Sequence, residues 1–133
     1  MAFTGTLEER ALIRERFETY SAAVIRQDAQ DYLACWTEDG RRTGTGGECS
    51  GKDELHAHWH GIFDAIEQMV FFTQLASIDV DGDRATARSY CLEIMKLRAG
   101  GGRQLVGEYA DELVRVGGEW LFAHRHYRVA MTL

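Results

Sequence analysis

The sequence contains no proline and only three cysteines among its 133 residues. Cys35, Cys49 and Cys91 are far apart and odd in number, so reduced thiols are expected rather than a disulfide framework. No apolar run approaches the roughly 18 residues that span a bilayer, so no membrane association is expected. The first residues also lack the basic and apolar regions of a secretory signal. Together these absences predict a cytoplasmic protein.

The chain also lacks an excess of positive charge. It has 15 Lys and Arg residues against 21 Asp and Glu residues, which gives a net charge of −6. Nucleic-acid binding requires a basic surface, so we predict no nucleic-acid partner. Apolar residues make up 45% of the chain and charged residues 27%, as in ordinary globular proteins. The length predicts a single domain over residues 1–133 that can bury a core without disulfides.

The clearest local signal is a long helix near the start of the chain. Thr6-Leu7-Glu8-Glu9 fits a capping box, with Thr6 as the N-cap and Glu9 as its reciprocal partner. Apolar side chains then recur at helical spacing: Ile13, Phe17, Tyr20 and Val24. This pattern predicts a helix over residues 7–26.

Two shorter helices are predicted to follow. Asp28 repeats the capping pattern for a short helix that carries Leu33 and Trp36. Residues 40–51 hold five glycines in twelve positions, which indicates a loop with at most a short strand. Ser50 is the predicted cap of a third helix. The apolar stripe of that helix is Leu55, Trp59, Ile62, Phe63 and Ile66.

From residue 70 onward the hydrophobic period changes to that of strands. Four strands are predicted, over residues 70–80, 85–97, 105–116 and 120–132, with glycine-containing turns between them. Helices followed by an antiparallel meander predict an α+β fold, in which the helices pack on one face of a curved sheet.

Three segments give the chain a resemblance to a known family. They are residues 16–40, with Arg16-Phe17-Glu18-Thr19-Tyr20; residues 80–85, Val-Asp-Gly-Asp-Arg-Ala; and residues 107–125, with Gly-Glu-Tyr-Ala-Asp-Glu. In this order they resemble the SnoaL-like branch of the nuclear transport factor 2 superfamily, whose relatives include scytalone dehydratase and ketosteroid isomerase. The resemblance implies a cystatin-like cone, in which three helices close a strongly curved antiparallel sheet over one apolar pocket. It also implies a homodimer formed through the outer sheet surface.

The resemblance to ketosteroid isomerase implies roles for two residues. Tyr20 stands eight residues before Asp28, as in the isomerase pattern, and would donate a hydrogen bond to a substrate oxyanion. Asp111 matches a protonated aspartate that acts as a second donor. Simpler interpretations stay open: Tyr20 as a core residue, Asp28 as a helix cap, and Asp111 as half of an ion pair across a hairpin.

The catalytic groups of both relatives are missing from this sequence. The general base of the isomerase falls near Gly44, which cannot take a proton. The aspartate and the two histidines of the dehydratase fall at Ile25, within residues 71–75 and near Gly107, none of which supplies the needed group. Neither mechanism can therefore operate unchanged in this chain.

Two further residues could move a proton. Glu93 shares a strand face with small side chains and is either a pocket carboxyl with a raised pKa or a solvated residue. If Gly117-Gly118 forms a two-residue turn, His124 pairs with Asp111, and the carboxylate would make the imidazole a better base. The alternative for His124 is a structural hydrogen bond across the hairpin.

An apolar wall is expected around these groups. Six residues are predicted to bind the ligand: Trp36, His58, Trp59, Phe63, Phe72 and Tyr109. His56 and His60 are one helical turn apart, but no HExxH motif is present, so we predict no metal site and no cofactor.

The resulting hypothesis is an apolar pocket for a small cyclic, hydrophobic or aromatic molecule. If the protein is an enzyme, the expected chemistry is isomerisation, dehydration or cyclisation by proton transfer, with Tyr20, Asp111, His124 and Glu93 as the catalytic residues. The alternative is a non-catalytic binding protein that uses the same pocket, which the missing catalytic groups of the relatives favour.

Overall fold

Three helices lie against one face of a six-stranded sheet in the computed structural model, which describes residues 1–133. The helices are α1 (Leu7–Arg26), α2 (Ala29–Ala34) and α3 (Lys52–Phe63). The strands are β1 (Trp36–Gly44), β2 (Cys49–Ser50), β3 (Ile66–Asp81), β4 (Arg84–Leu97), β5 (Gly102–Val116) and β6 (Glu119–Thr132). The sheet order is β2-β1-β6-β5-β4-β3. The predicted α+β class, with three helices packed on a sheet, is confirmed.

The sheet is mixed, which corrects the prediction of a purely antiparallel sheet. Strands β3 to β6 form the expected antiparallel meander, but β1 pairs with β6 in parallel. The prediction placed Trp36 at the end of a helix and residues 40–51 in a loop. In the structure Trp36 begins β1 and is 1% exposed. Pairing with β6, which is far away in sequence, stabilises this glycine-containing segment as a strand.

The helix starts follow local capping chemistry at two of three places. Thr6 and Glu9 form the predicted capping box of α1, and Asp28 caps α2 by accepting a hydrogen bond from the Asp31 N–H at 3.0 Å. The predicted cap of α3 is wrong. Ser50 pairs with β1 as part of β2, so Gly51 becomes the N-cap and provides no side chain for capping.

A β-bulge at Ala123 sets which residues of β6 face the helices. Leu113 lies opposite Phe122, but the neighbouring Glu112 lies opposite His124, so Ala123 has no partner on β5. Beyond the bulge, Arg125 and Tyr127 point to the helix side of the sheet and His124 points to the other side. We call these two sides the inner face and the outer face.

The core lies between the inner face and the apolar stripe of α1. Phe17, Tyr20, Trp36 and Phe122 form an aromatic cluster, in which the Phe17 and Phe122 ring centroids are 5.1 Å apart in an edge-on arrangement. On β4 four of the five buried residues are small, namely Ala85, Ala87, Ser89 and Cys91; the fifth is Met95. Because those four side chains are short, they leave space between the sheet and the helices. No helix combines the length and the apolar character needed to cross a membrane.

Candidate functional site

A cavity of about 270 Å³ lies between the three helices and the inner face of the sheet. Its walls are mostly apolar, and 13 of its 19 lining residues are hydrophobic. The aliphatic and aromatic wall consists of Val24, Trp59, Ile62, Phe63, Met69, Phe71, Met95, Leu105 and Val129. The groups that can donate, accept or carry charge are Tyr20, Tyr32, Arg42, His58, Glu93, Arg103, Tyr109 and Tyr127. A few polar groups in an apolar cavity are typical of a small-molecule site.

Glu93 is the one carboxylic acid in the cavity wall. It is half-buried on the inner face of β4, where the Tyr127 hydroxyl donates to its Oε2 and the Cys91 thiol approaches the same oxygen at 3.5 Å. Burial raises the pKa of Glu93, whereas these two hydrogen bonds and the charge of Arg42 oppose the rise. Both donors bind Oε2, and Oε1 has no hydrogen-bond partner in the protein.

Arg42 places a positive charge in the same wall. It is 8% exposed, and its guanidinium donates to the backbone carbonyls of Thr45 at 2.8 Å and Gly47 at 2.9 Å. Its Cζ lies 5.3 Å from the centre of the Tyr127 ring. No ion pair of the protein includes Arg42.

Three buried tyrosines contribute hydroxyl groups to the cavity: Tyr20 from α1, Tyr32 from α2 and Tyr109 from β5. The Tyr20 and Tyr32 ring centroids are 5.2 Å apart. Burial raises the pKa of all three phenols, so they stay protonated at neutral pH and can donate hydrogen bonds. Half-buried His58 lies near Arg42, and burial followed by the charge of Arg42 lowers the pKa of this imidazole.

Asp111 and Arg125 form a buried ion pair behind the cavity wall. Arg125 Nε donates to Asp111 Oδ1 at 2.7 Å and Nη2 donates to Oδ2 at 3.0 Å. The Arg125 Cζ lies 3.7 Å from the Tyr109 ring centre and 4.4 Å from the Tyr20 ring centre. Burial acts against the charge of Arg125, but the Asp111 carboxylate together with the Tyr20 and Tyr109 phenols more than offsets burial and raises the pKa of the guanidinium.

The predicted pairing of Asp111 with His124 is wrong. The bulge at Ala123 places Arg125 opposite Asp111 and turns His124 to the outer face. There the Oγ1 of Thr43 lies 2.8 Å from His124 Nε2 and 2.8 Å from His126 Nδ1. The alternative prediction for Asp111, an ion pair across the hairpin, describes the observed contact.

Most of the other predicted site residues line the cavity, but two lie in the core or on the outer face. Six of them line the cavity: Tyr20, His58, Trp59, Phe63, Glu93 and Tyr109. Trp36 is buried in the core and does not reach the cavity, and Phe72 is 59% exposed on the outer face. Phe72 differs from its inward-facing neighbour Phe71 because successive strand residues point to opposite faces, and composition does not reveal which face is buried.

The predicted site residues did not include the other 13 lining residues, among which Tyr32, Arg42 and Tyr127 bring polar groups to the cavity. Arg42 lies in the glycine-rich segment interpreted as a loop, so it had no assigned face. The bulge at Ala123 inverts the alternation of β6 and hides the inward direction of Tyr127. Tyr32 could be found from the sequence as the large aromatic residue on the short helix that Asp28 caps.

Comparisons with known proteins agree with this architecture. A family model described as a SnoaL-like domain matches residues 5–126, whereas no curated protein matches the chain. A proposed scytalone dehydratase from Novosphingobium aromaticivorans is 25% identical, with a TM-score of 0.89 over 96% of this chain and 87% of that chain. A protein of unknown function with a cystatin-like fold from Nostoc punctiforme is 24% identical, with a TM-score of 0.81 over 93% and 92%.

A third solved structure extends the likeness in fold. The hexachlorocyclohexane dehydrochlorinase LinA-type3 from Novosphingobium barchaimii is 18% identical, with a TM-score of 0.83 over 96% of this chain and 90% of that chain. These similarities cover nearly the whole chain, and the matched family model spans most of it. The chain therefore belongs to the SnoaL-like domain family of the nuclear transport factor 2 superfamily.

Proposed function

We propose that the protein binds a small cyclic organic molecule in the cavity and moves a proton on it without a cofactor, as an isomerase, dehydratase or cyclase. The observation that carries the proposal is the position of Glu93. Its carboxyl group is half-buried in an apolar cavity, is oriented by Tyr127, and has a raised pKa. A carboxyl group held in this way, with a pKa raised by burial, is suited to general acid and base catalysis.

The proposed step begins with Glu93 as the base. The C–H bond next to a ligand carbonyl breaks, its proton moves to Oε1 of Glu93, and its electron pair shifts to the carbonyl oxygen. The Tyr20 hydroxyl donates a hydrogen bond to this developing oxyanion. In a ligand with a C=C bond next to this carbon, return of the proton from Glu93 to the far end of the dienolate completes an isomerisation. In a ligand with a hydroxyl group on the neighbouring carbon, that C–O bond breaks and the proton held by Glu93 passes to the leaving oxygen, so that water departs and a dehydration is complete.

Asp111 takes a positioning role in this proposal. Both of its oxygens bind Arg125, so it has no free oxygen with which to polarise a substrate. Arg125 in turn lies against the rings of Tyr20 and Tyr109. We propose that the ion pair holds these two hydroxyl groups in place. The likeness to the proposed scytalone dehydratase supports an elimination as one outcome of the same proton transfer.

Deuterium exchange tests the proposal directly. The protein is incubated in deuterated water with 2-tetralone, and loss of the protons next to the carbonyl is followed by proton NMR. We expect exchange above the buffer rate with the natural protein and with the control Glu67→Gln, whose carboxyl lies outside this cavity. We expect Glu93→Gln to lower the enzyme-dependent rate by about 100-fold or more. Equal rates for Glu93→Gln and the natural protein would refute the role of Glu93.

The second candidate is a non-catalytic binding protein with the same cavity. It is favoured by the residues at the positions of the relatives' catalytic groups, Ile25, Gly44 and Gly107, which cannot transfer protons. Binding of 2-tetralone, seen as quenching of the fluorescence of Trp59, without any exchange above the buffer rate would select this candidate.

We further propose that one domain spans residues 1–133 and forms a homodimer through the outer face. Phe72, Leu92, Val106 and Met131 are successive register partners and form an apolar row across four strands. Phe72 and Met131 are well exposed, which is typical of an association surface. Light scattering should give the mass of a dimer, and Phe72→Glu should halve it. A natural protein of monomeric mass would refute the dimer.

We also propose a cytoplasmic location. All three cysteines are free and buried, which fits a compartment that keeps thiols reduced. Fractionation of cells that express the full chain would test this location, and recovery in the secreted fraction would contradict it.

A further inference from the structure

Arg42 is a buried cation without an ion-pair partner. Its residue is 8% exposed, yet only two of its five N–H groups have partners, and both partners are neutral backbone carbonyls. Buried charges in proteins are normally paired, because desolvation without compensation is costly. Arg42 therefore lacks the carboxylate, or other anion, that usually stabilises a buried guanidinium.

A second buried cation stands beside it. Arg125 is the register partner of Arg42 in the parallel pair of β1 and β6. The single carboxylate at this point, Asp111, is fully used by two hydrogen bonds from Arg125. Two guanidinium groups are therefore neighbours on the inner face, and the Asp111 carboxylate binds only that of Arg125.

The loop after β1 fixes the Arg42 guanidinium in place. Nη1 binds the carbonyl of Gly47 and Nη2 binds the carbonyl of Thr45. A Cβ atom at Gly46 would lie 3.3 Å from Nη2, so the loop passes close to the charge. Gly46 has φ +94, a conformation that favours glycine. The side chain is held by the protein and its remaining donors are available in the cavity wall.

The other ionisable groups of the cavity do not supply the missing negative charge. Burial raises the pKa of Tyr20 and Tyr32, so both phenols stay neutral, and Glu93 forms no ion pair with Arg42. Arg103 adds a further positive charge at an exposed part of the wall. An apolar cavity with this balance of charge is complementary to an anion.

We infer that the ligand of this cavity is a ring-containing carboxylate, with its carboxylate bound to Arg42 and its ring against the apolar wall formed by Trp59, Phe63 and Phe71. A planar carboxylate matches the fork of a guanidinium in a bidentate pair. This inference rests on the proposed function, because it names the chemical class of the molecule on which Glu93 acts.

A matched pair of probes tests the inference. Naphthalene-2-carboxylate and its neutral isostere naphthalene-2-carboxamide are titrated into the natural protein by isothermal calorimetry. We expect the carboxylate to bind about tenfold more tightly or better, as expected for a charge-assisted hydrogen bond in a buried site. Arg42→Gln should abolish this preference. Arg128→Gln, which removes an exposed arginine that pairs with Glu108, should keep it.

Arg42→Lys covers the case in which Arg42→Gln does not fold. It keeps the positive charge but loses the bidentate geometry, so we expect a preference for the carboxylate that is clearly reduced.

Equal affinity of the natural protein for both probes would overturn the inference. So would a folded Arg42 variant that keeps the full preference for the carboxylate. If the carboxamide binds as well as the carboxylate while 2-tetralone exchange persists, the inference fails and the proposed function stands. If the carboxylate preference holds but exchange is absent, only the catalytic role of Glu93 fails.

Discussion

The two buried arginines of the inner face occupy neighbouring positions and have opposite surroundings. Arg125 is 1% exposed, has a bidentate carboxylate partner and is covered by aromatic rings on several sides. Arg42 is 8% exposed, has only backbone carbonyls as partners and borders a cavity. A buried charge whose partner lies within the fold holds the structure together. A buried charge without a partner, next to a cavity, indicates where a ligand completes the structure.

The largest expected effect is on stability when the paired arginine loses its carboxylate. Asp111→Ala leaves the Arg125 charge buried without compensation, which costs about 3–5 kcal/mol. Urea denaturation should show this loss in the free energy of unfolding. The double variant Asp111→Leu with Arg125→Met removes both charges, so it should recover most of the stability. A loss below about 1 kcal/mol for Asp111→Ala would mean that the ion pair is not what stabilises this region.

The unpaired arginine should behave differently. Arg42→Met keeps the length of the side chain and removes a charge that has no counter-ion, so its cost should be about 1 kcal/mol or less. The same urea experiment measures it. The two variants are compared by how much each lowers the free energy of unfolding. If Arg42→Met destabilises the protein as much as Asp111→Ala, the distinction between a structural and a ligand-binding arginine fails.

Glu93 links stability to pH on the cavity side. Burial raises its pKa in the folded state above the ordinary value of 4.5, so the folded protein holds this proton more firmly than the unfolded chain does. The contribution of Glu93 is therefore fully present below pH 4.5 and is lost as the pH rises through the folded-state pKa. Each unit of elevation corresponds to about 1.4 kcal/mol.

Glu93→Gln provides the comparison for this pH effect. It cannot ionise, so its stability relative to the natural protein should increase as the pH rises from 4 to 8. Thermal unfolding across this range measures the difference. A difference between the two proteins that does not change with pH would contradict the raised pKa of Glu93.

The smallest effect is expected on the outer face. His124 contacts Thr43 and lies near Glu112, on the side of the sheet opposite to the cavity. His124→Ala should change stability by about 1 kcal/mol or less and should leave 2-tetralone exchange unaltered. The NMR exchange assay decides this point. A large loss of exchange in a folded His124→Ala protein would show that the proton pathway reaches the outer face.

Local signals in the sequence accounted for the helices and for the meander. The capping box at Thr6 and the apolar stripe beginning at Ile13 define α1, and both are interactions between residues close together in the chain. The turn at Gly117-Gly118 was located correctly, since both glycines adopt positive φ values. The cap of α3 was misplaced because Ser50 is recruited into a strand, a long-range event.

The cavity residues were only partly predictable. Tyr20, His58 and Trp59 lie on helices, where the period of the apolar stripe shows which side is buried. The sequence allows Glu93 to be either a pocket carboxyl or a solvated residue, because alternation on a strand separates two faces but does not show which face meets the helices. No pattern in the sequence indicates that Arg42 faces the cavity, because a glycine-rich segment predicts a loop and not a strand with an inner face.

By itself, the amino-acid sequence determined the family, the α+β class, the boundaries of α1, the presence of two further helices and the four long strands of this protein. These features depend on hydrophobic period, capping and turn residues, which act over a few positions. The tertiary structure alone decided the pairing of β1 with β6 and the bulge at Ala123. Because of these two features, Arg125 donates hydrogen bonds to Asp111, His124 points to the outer face, and Arg42 lies in the cavity wall. Strand pairing joins residues about 80 positions apart, and a single extra residue reverses every side chain beyond it, so no local pattern can encode the result.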